Sequence, residues 1–132
     1  MKAEADFDVI VVGGGPSGAT AAHDLACAGY SVMLLDKAGR IKPCGGAVPP
    51  RLLKDFDIPQ TLLVAHAKSA RIIAPSNKKV VMPVGDGFVG MVDRDSFDEW
   101  LRSRAADAGA TRVTGKCEAV DDSQSIARLS YR

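Results

Sequence analysis

The sequence is poor in the features that mark several large classes of protein. Aromatic residues make up only 5% of its 132 residues, and 17 basic against 16 acidic side chains give a formal net charge of +1. A chain so close to neutral is not built to bind nucleic acid through phosphate electrostatics. No apolar run approaches the roughly 20 residues of a membrane-spanning helix, and the first such run is broken by glycines after an acidic leader. We therefore expect no nucleic-acid partner, no transmembrane anchor and no signal peptide.

Cysteine is also scarce. The three cysteines, Cys27, Cys44 and Cys117, form an odd set without Cys-x-x-Cys spacing. The sequence therefore predicts neither a disulfide framework nor a metal site, which favours a reducing, cytoplasmic compartment. What is present is a hydrophobic fraction of 46% with 25% charged residues. This composition is ordinary for a globular domain of about 100 to 150 residues.

The N-terminal region follows a strand–helix–strand pattern. Residues 8–12 contain the continuous, β-branched apolar run Val9–Val12, which predicts a strand buried on both faces. Residues 19–28 are rich in helix formers, and residues 31–35, which are apolar from Val32 onwards, predict a second buried strand that ends at Asp36. These lengths predict a βαβ unit with parallel strands and a right-handed crossover.

The turn after the first strand carries a glycine fingerprint. Gly13, Gly15 and Gly18 occupy the three glycine positions of G-x-G-x-x-G, and Ser17 lies in the same turn. The first glycine permits the tight turn, the second lets a pyrophosphate approach the backbone, and the third allows close packing of helix on strand. The pyrophosphate then meets the N–H groups at the helix start. The pattern predicts dinucleotide binding; the alternative is a glycine-rich turn without a ligand.

An acidic residue follows the second strand. Asp36 lies at the strand end, where a carboxylate accepts hydrogen bonds from ribose hydroxyls, and Lys37 comes next. A carboxylate there would repel a 2′-phosphate, so this site should hold FAD or NAD rather than NADP. NADPH, if it is the reductant, must bind elsewhere.

The next loop carries a more specific motif. Its glycines and prolines make it too long for a simple connection, and such loops are often functional. Together with residues 8–19, the run R-I-K-P-C-G-G-A-V-P-P-R-L at 40–52 resembles the flavoprotein geranylgeranyl reductases, closest to the branch acting on bacteriochlorophyll in purple phototrophs. The likeness continues through residues 72–76 and 87–94 and reaches about Ala110.

The resemblance implies an oxidoreductase of (bacterio)chlorophyll biosynthesis. FAD would bind at the glycine fingerprint, and NADPH would donate electrons. The reaction would reduce the three isolated double bonds of a geranylgeranyl group to phytyl, either on the esterified pigment or on geranylgeranyl diphosphate. The protein would be cytoplasmic, peripheral to the photosynthetic membrane.

Cys44 is the candidate catalytic residue. An unactivated alkene has no carbonyl to absorb charge, so hydride transfer from reduced flavin needs a proton delivered to the other carbon. Cys44 either supplies that proton or gates the site, and it would line the flavin face with the amides of Gly45 and Gly46. The alternative is a buried loop cysteine without a chemical role.

Two further cofactor contacts come from the resemblance. Arg94 matches the arginine with which this flavoprotein group contacts FAD, and a guanidinium suits a phosphate or ribityl oxygen; the alternative is a solvated surface arginine. Glu118 lies where the backbone of the group meets the adenine, so it is named for its position. His23 and His66 are predicted to be surface or packing residues.

The predicted fold is α/β: a Rossmann-like FAD-binding βαβ half-sheet with an antiparallel β insertion, forming an incomplete doubly wound domain. An amphipathic helix at 95–109 precedes a strand at 111–114, which should lie beside the second strand. The expected divisions are an FAD-binding part at 1–50 and 93–120, the start of a substrate-domain insertion at 51–92 and a truncated tail at 121–132.

Two rival interpretations remain at this point. The first is an inactive fragment that at most binds a nucleotide, because no later strand is available to pair with the open edge of the first strand. That apolar edge predicts poor solubility or a partner. The second is an NAD-linked dehydrogenase, in which the loop around Cys44 has no place.

Overall fold

The computed structural model describes residues 5–38 and 41–132. The chain divides into two compact units, the first made of Met1–Ile41 and Asp98–Arg132 and the second of Lys42–Phe97. In chain order the elements are β1 (Val9–Val12), α1 (Pro16–Cys27), β2 (Val32–Asp36), β3 (Ala47–Val48), α2 (Pro50–Asp55), a 3₁₀ turn (Gln60–Leu62), β4 (Leu63–Ala67), β5 (Ser69–Ile73), β6 (Lys79–Pro83), β7 (Val89–Val92), α3 (Arg94–Asp107), β8 (Thr111–Thr114), β9 (Cys117–Asp121) and β10 (Arg128–Tyr131).

The first unit is built on a parallel three-stranded sheet in the order β1-β2-β8. The central strand β2 is buried from Val32 to Leu35, as its continuous apolar run predicts. Helix α1 contacts β1 and β2, and its Ala19 and Ala22 are fully buried because small side chains let helix and sheet approach closely. The predicted α/β fold class and the position of the third parallel strand are confirmed.

The prediction that β1 is buried on both faces is wrong. Its residues alternate between half-buried and exposed, and Ile10 and Val12 are 36% and 53% exposed. Among the described residues β1 pairs only with β2, so it is an edge strand. Its open face lines a groove of about 490 Å³ together with Val120 and Leu129 of the β9–β10 hairpin. An apolar edge of this kind is prone to association.

Hydrogen bonds between Asp8 and Ser31 align β1 and β2 at the start of the sheet. The Asp8 carboxylate accepts hydrogen bonds from the Ser31 amide at 2.8 Å and the Ser31 hydroxyl at 3.0 Å. The hydroxyl in turn accepts from the Asp8 amide at 2.8 Å, and these bonds hold the pKa of Asp8 below its usual value. With β1 and β2 aligned at this end, Gly13 meets the opposite end of β2, where its N–H donates to the Leu35 carbonyl at 2.8 Å.

The second unit is antiparallel, as predicted for the insertion. One sheet has the order β3-β7-β4, and β5 pairs with β6 in a hairpin. The hairpin leaves large apolar side chains more than half exposed, among them Ile72 and Val80, which face each other across the two strands. On β4, the His66 ring contacts Phe88 edge to face with centroids 4.4 Å apart, which is the packing role expected of it.

Helix α3 carries the predicted amphipathic pattern. Its Phe97, Leu101 and Ala105 are buried at helical spacing. Trp100 is half-buried, with the Arg104 guanidinium 4.9 Å from its ring centroid. Over residues 5–38 and 41–132, no helix is long and apolar enough to cross a membrane, and no group of three or more His, Cys, Asp or Glu side chains could hold a metal ion.

Candidate functional site

The glycine turn joins β1 to α1 with a different constraint at each fingerprint position. Gly13 has φ of +103°, a conformation that side chains rarely adopt. A Cβ at Gly18 would collide with the Gly13 carbonyl oxygen, so the helix start lies directly against the turn. At Gly15, by contrast, nothing among the described residues lies within 4 Å of an added Cβ. Two glycines are therefore required by the fold, whereas the space beside the third is open.

The start of α1 is suited to an anion. Its N-cap residue is Gly15, which has no side chain that could cap the helix, and Pro16 begins the helix. Exposed Ser17 lies in the first turn. The first N–H groups of a helix have no intrahelical acceptor, and the helix dipole favours negative charge there. The open space and these donors together fit a pyrophosphate.

Asp36 ends β2 at the same edge of the sheet as the glycine turn. Its backbone carbonyl accepts a hydrogen bond from Gly115 at 2.9 Å, and its side chain is 28% exposed. The Arg102 Nη1 atom lies 3.5 Å from the Asp36 Oδ2 atom. The carboxylate is thus accessible at the strand end and held by a cation. Lys37 follows it and is exposed.

A network of charged side chains supports this edge. The Glu99 carboxylate accepts two hydrogen bonds from Arg112, at 2.8 and 3.0 Å, and one from Arg102 Nε at 3.1 Å. The bonds from Arg112, and then those from Arg102, lower the pKa of Glu99 to about 2. The same pairing raises the pKa of Arg112. These side chains and Asp36 line a cavity of about 180 Å³ at the ends of β2 and β8.

The network predicts a pH-dependent contribution of Glu99 to stability. Because its pKa in the folded protein lies below the usual 4.5, the contribution is complete above pH 4.5 and is lost as the pH falls towards 2. The side chain is 51% exposed, so solvent screening limits the effect of Glu99→Gln to about 1 kcal/mol at pH 7. Urea unfolding of wild type and variant across that pH interval measures the difference.

Glu118→Gln is the control for this experiment. Glu118 forms one exposed ion pair with Arg132 at 3.1 Å, and such a pair contributes about 0.3 kcal/mol. A Glu99→Gln difference that stays constant between pH 4.5 and 2 would contradict the assignment. So would a difference no larger than that of the control.

The loop around Cys44 lies in the second unit, and Arg40 of its motif lies outside the described residues. Gly46 has φ of +74°, and a Cβ there would collide with the Val92 carbonyl oxygen. The Gly46 N–H donates to the Cys44 sulfur at 3.4 Å, and Cys44 is exposed rather than buried. At Gly45 no described atom lies within 4 Å of an added Cβ. Gly46 is therefore required by the fold and Gly45 is not.

The predicted site residues fall into three groups. Gly13, Gly15, Ser17, Gly18, Asp36 and Lys37 are brought together at one edge of the parallel sheet. Glu118 lies in the same unit but on β9, where it pairs with Arg132. Cys44, Gly45, Gly46 and half-buried Arg94, the first residue of α3, lie in the second unit.

Arg102 and the network around Glu99 are not among the site residues predicted from the sequence. Arg102 donates to the Gly14 carbonyl, which is 88 positions away in the chain. One signal could have pointed to such a contact. Gly14 is a glycine that the fingerprint does not require, so a close neighbour had to be expected beside it.

Comparisons with known proteins agree with this description. Residues 11–86 match the NAD(P)-binding Rossmann-like domain family. The chain is 64% identical over 109 residues to a geranylgeranyl diphosphate reductase of Rhodobacter capsulatus, covering 83% of this chain and 28% of the relative. A solved geranylgeranyl bacteriochlorophyll reductase-like protein from Thermoplasma acidophilum is 31% identical, with a TM-score of 0.77 over 88% of this chain and 32% of that one. The predicted resemblance to geranylgeranyl reductases is confirmed.

A more distant likeness shows the fold alone. Halogenase PltM, solved in complex with phloroglucinol and FAD, is 20% identical, with a TM-score of 0.76 over 97% of this chain and 32% of that one. The chain thus spans about a third or less of the length of the proteins it matches. Because the match over residues 11–86 takes in more than half of its 132 residues, the chain belongs to the NAD(P)-binding Rossmann-like domain family.

Proposed function

We propose that this chain is the FAD-binding part of a geranylgeranyl reductase of (bacterio)chlorophyll biosynthesis. The observation that carries the proposal is the 64% identity to the Rhodobacter capsulatus geranylgeranyl diphosphate reductase. The substrate is a geranylgeranyl group, on the pigment ester or on the free diphosphate. The protein works in the cytoplasm, peripheral to the photosynthetic membrane.

The first unit fits the ADP half of FAD. An added Cβ at Gly15 meets open space, so a pyrophosphate can lie against the backbone beside the start of α1. Asp36 would accept hydrogen bonds from the adenosine ribose. Ser17, Lys37 and the backbone at Glu118 are proposed as further contacts in this unit. Arg94 of the second unit is proposed as an FAD contact from the resemblance alone.

The carboxylate of Asp36 also bears on the reductant. A 2′-phosphate beside it would suffer like-charge repulsion, so NADPH is proposed to bind outside the glycine turn. The same repulsion predicts that this turn prefers FAD to any nucleotide that carries a 2′-phosphate.

Residues 51–92, which lie within the second unit, are proposed to begin the substrate domain. Bound FAD supplies the carrier that passes a hydride from NADPH to an isolated double bond. Each reduction also consumes one proton, and NADP⁺ is the other product. Cys44 is exposed and its sulfur is oriented by the Gly46 N–H at 3.4 Å, so its thiol is proposed to hold the proton that goes to the second alkene carbon.

A chimera tests the proposed function. The 109 matching residues of this chain replace the corresponding segment of the Rhodobacter capsulatus relative. The purified protein is supplied with FAD, NADPH and each of the two geranylgeranyl substrates. We expect a yellow protein with FAD near 1:1 and stepwise hydrogenation of the prenyl chain, followed by mass spectrometry. Failure on both substrates, in a chimera that still binds FAD, would contradict the proposal.

The 132-residue chain alone provides the second arm. FAD binding without turnover is expected of it, because the matching segment is only 28% of the length of the Rhodobacter capsulatus relative. A chain that is folded but binds no FAD would contradict the assignment of the first unit. Flavin-independent oxidation of NADH would favour the dehydrogenase instead.

A further inference from the structure

Gly14 is the one glycine of the turn that the fingerprint leaves unexplained. It is buried, and an added Cβ would lie 2.9 Å from the Arg102 Cδ atom and 2.9 Å from the Asp36 Cβ atom. Both distances are shorter than real Cβ contacts allow. The space beside Gly14 is therefore filled by an arginine and by the acid that ends β2.

Arg102 connects the two parts of the proposed nucleotide site. Its Nη1 donates to the Gly14 carbonyl at 2.9 Å and lies 3.5 Å from the Asp36 carboxylate. Its Nε donates to Glu99, which also holds Arg112 through two bonds. The side chain is only 21% exposed, so the guanidinium is fixed from three sides.

We infer that Arg102 is a positioning residue for adenosine binding, because it holds the Asp36 carboxylate in place for the ribose and ties it to the glycine turn. The inference rests on the proposed function, since it needs a nucleotide in that turn. Arg102 itself acts through Asp36 and takes no part in the chemistry.

The contacts of Arg102 explain how it could influence nucleotide affinity. The turn binds the pyrophosphate and Asp36 binds the ribose, so affinity depends on the distance between them. A guanidinium has donors in a rigid planar fork and can serve Gly14, Asp36 and Glu99 at once. One contact to Asp36 leaves acceptor capacity on a carboxylate that has about four lone-pair sites.

The test compares two ligands on the full chain. ADP and 2′-deoxy-ADP are titrated by calorimetry into wild type and Arg102→Met. In wild type, loss of the 2′-hydroxyl should lower affinity about tenfold, the effect of one hydrogen bond to a charged group. In the variant, ADP should bind about tenfold more weakly while 2′-deoxy-ADP changes little, so the ratio of the two affinities falls towards one.

Two variants serve as references. Arg102→Lys keeps the charge, but its donors all lie on one nitrogen and cannot span the separated acceptors, so it should restore part of the ratio. Arg51→Met removes an equal charge from an exposed ion pair with Asp55 on α2 and should match wild type. Because the ratio compares ligands on the same sample, partial unfolding of a variant lowers both apparent affinities equally and leaves the ratio unchanged.

The ratio of the two affinities decides whether Arg102 positions Asp36. A ratio near one in Arg102→Met, with partial recovery in Arg102→Lys, supports the inference. An unchanged ratio overturns it, whether affinity stays the same or both ligands weaken equally, and the proposed function stands. A wild-type chain that is folded but binds neither ADP nor FAD overturns the proposed function and this inference together.

Discussion

Alanine at Gly15 is expected to lower FAD affinity about 100-fold and leave the fold intact, whereas alanine at Gly18 is expected to destabilise the fold itself. The two positions belong to one fingerprint but differ in their surroundings. The added methyl at Gly18 collides with the Gly13 carbonyl oxygen, and at Gly15 it enters open space. The methyl at Gly15 therefore obstructs only a ligand.

The magnitudes follow from these contacts. Forcing a methyl group against the backbone at Gly18 should cost about 3 kcal/mol. A loss of that size should lower the melting temperature of a small domain by roughly 10 to 15 °C. At Gly15 the methyl should displace the pyrophosphate from one or two charge-assisted bonds and lower FAD affinity about 100-fold.

Circular dichroism melting and flavin fluorescence titration measure the two effects separately. Gly87→Ala is the matched control, since Gly87 lies in the second unit with nothing described within 4 Å of an added Cβ. It should leave both the melting temperature and FAD binding unchanged. If Gly15→Ala bound FAD as wild type does, the open space at this position would not be the pyrophosphate site.

The contrast shows what local sequence can predict. The βαβ unit and its glycine turn follow from short-range patterns, because apolar runs and turn glycines determine a strand, a turn and a parallel neighbour within 36 residues. Exposure of Ile10 did not follow from such patterns. The exposure of Ile10 depends on which other segments cover β1, and the sequence of the strand does not indicate which segments those are.

Contacts between segments that are far apart in the chain could not be predicted from the sequence either. Arg102 and Gly14 are 88 positions apart, and Glu99 and Arg112 are 13 apart on different elements. In their own segments Glu99, Arg102 and Arg112 look like ordinary surface residues, and only the additional glycine at position 14 indicates a close neighbour. Their shared position appears only when α3 and β8 are placed beside the turn, so the charged network could not be predicted from composition or periodicity.

Replacing Cys44 with alanine is expected to lower turnover of the chimera about 100-fold or more while FAD binding stays unchanged, because general acid catalysis contributes factors of this size. The reason is the chemistry of an isolated alkene, which cannot hold the charge left when hydride arrives. The exposed thiol can exchange its proton with solvent between cycles.

Cys27→Ala is the matched control. Cys27 is also an exposed thiol, but it lies on α1 with its sulfur 3.6 Å from His23, outside the loop. Its removal should leave turnover unchanged. Cys44→Ser retains a hydroxyl, which is a much weaker acid than a thiol, so it should recover little of the loss.

The product itself separates proton donation from gating. In D₂O, a thiol held on one side of the substrate should deliver deuterium to a single face of each double bond. Cys44→Ala should then give products of mixed stereochemistry, because water replaces the fixed donor. If Cys44 only gates the site, the variant should change the KM for the prenyl substrate and keep both the rate at saturation and the single-face labelling. Retained labelling with a retained rate would therefore remove Cys44 from the chemistry, even if the proposed substrate were correct.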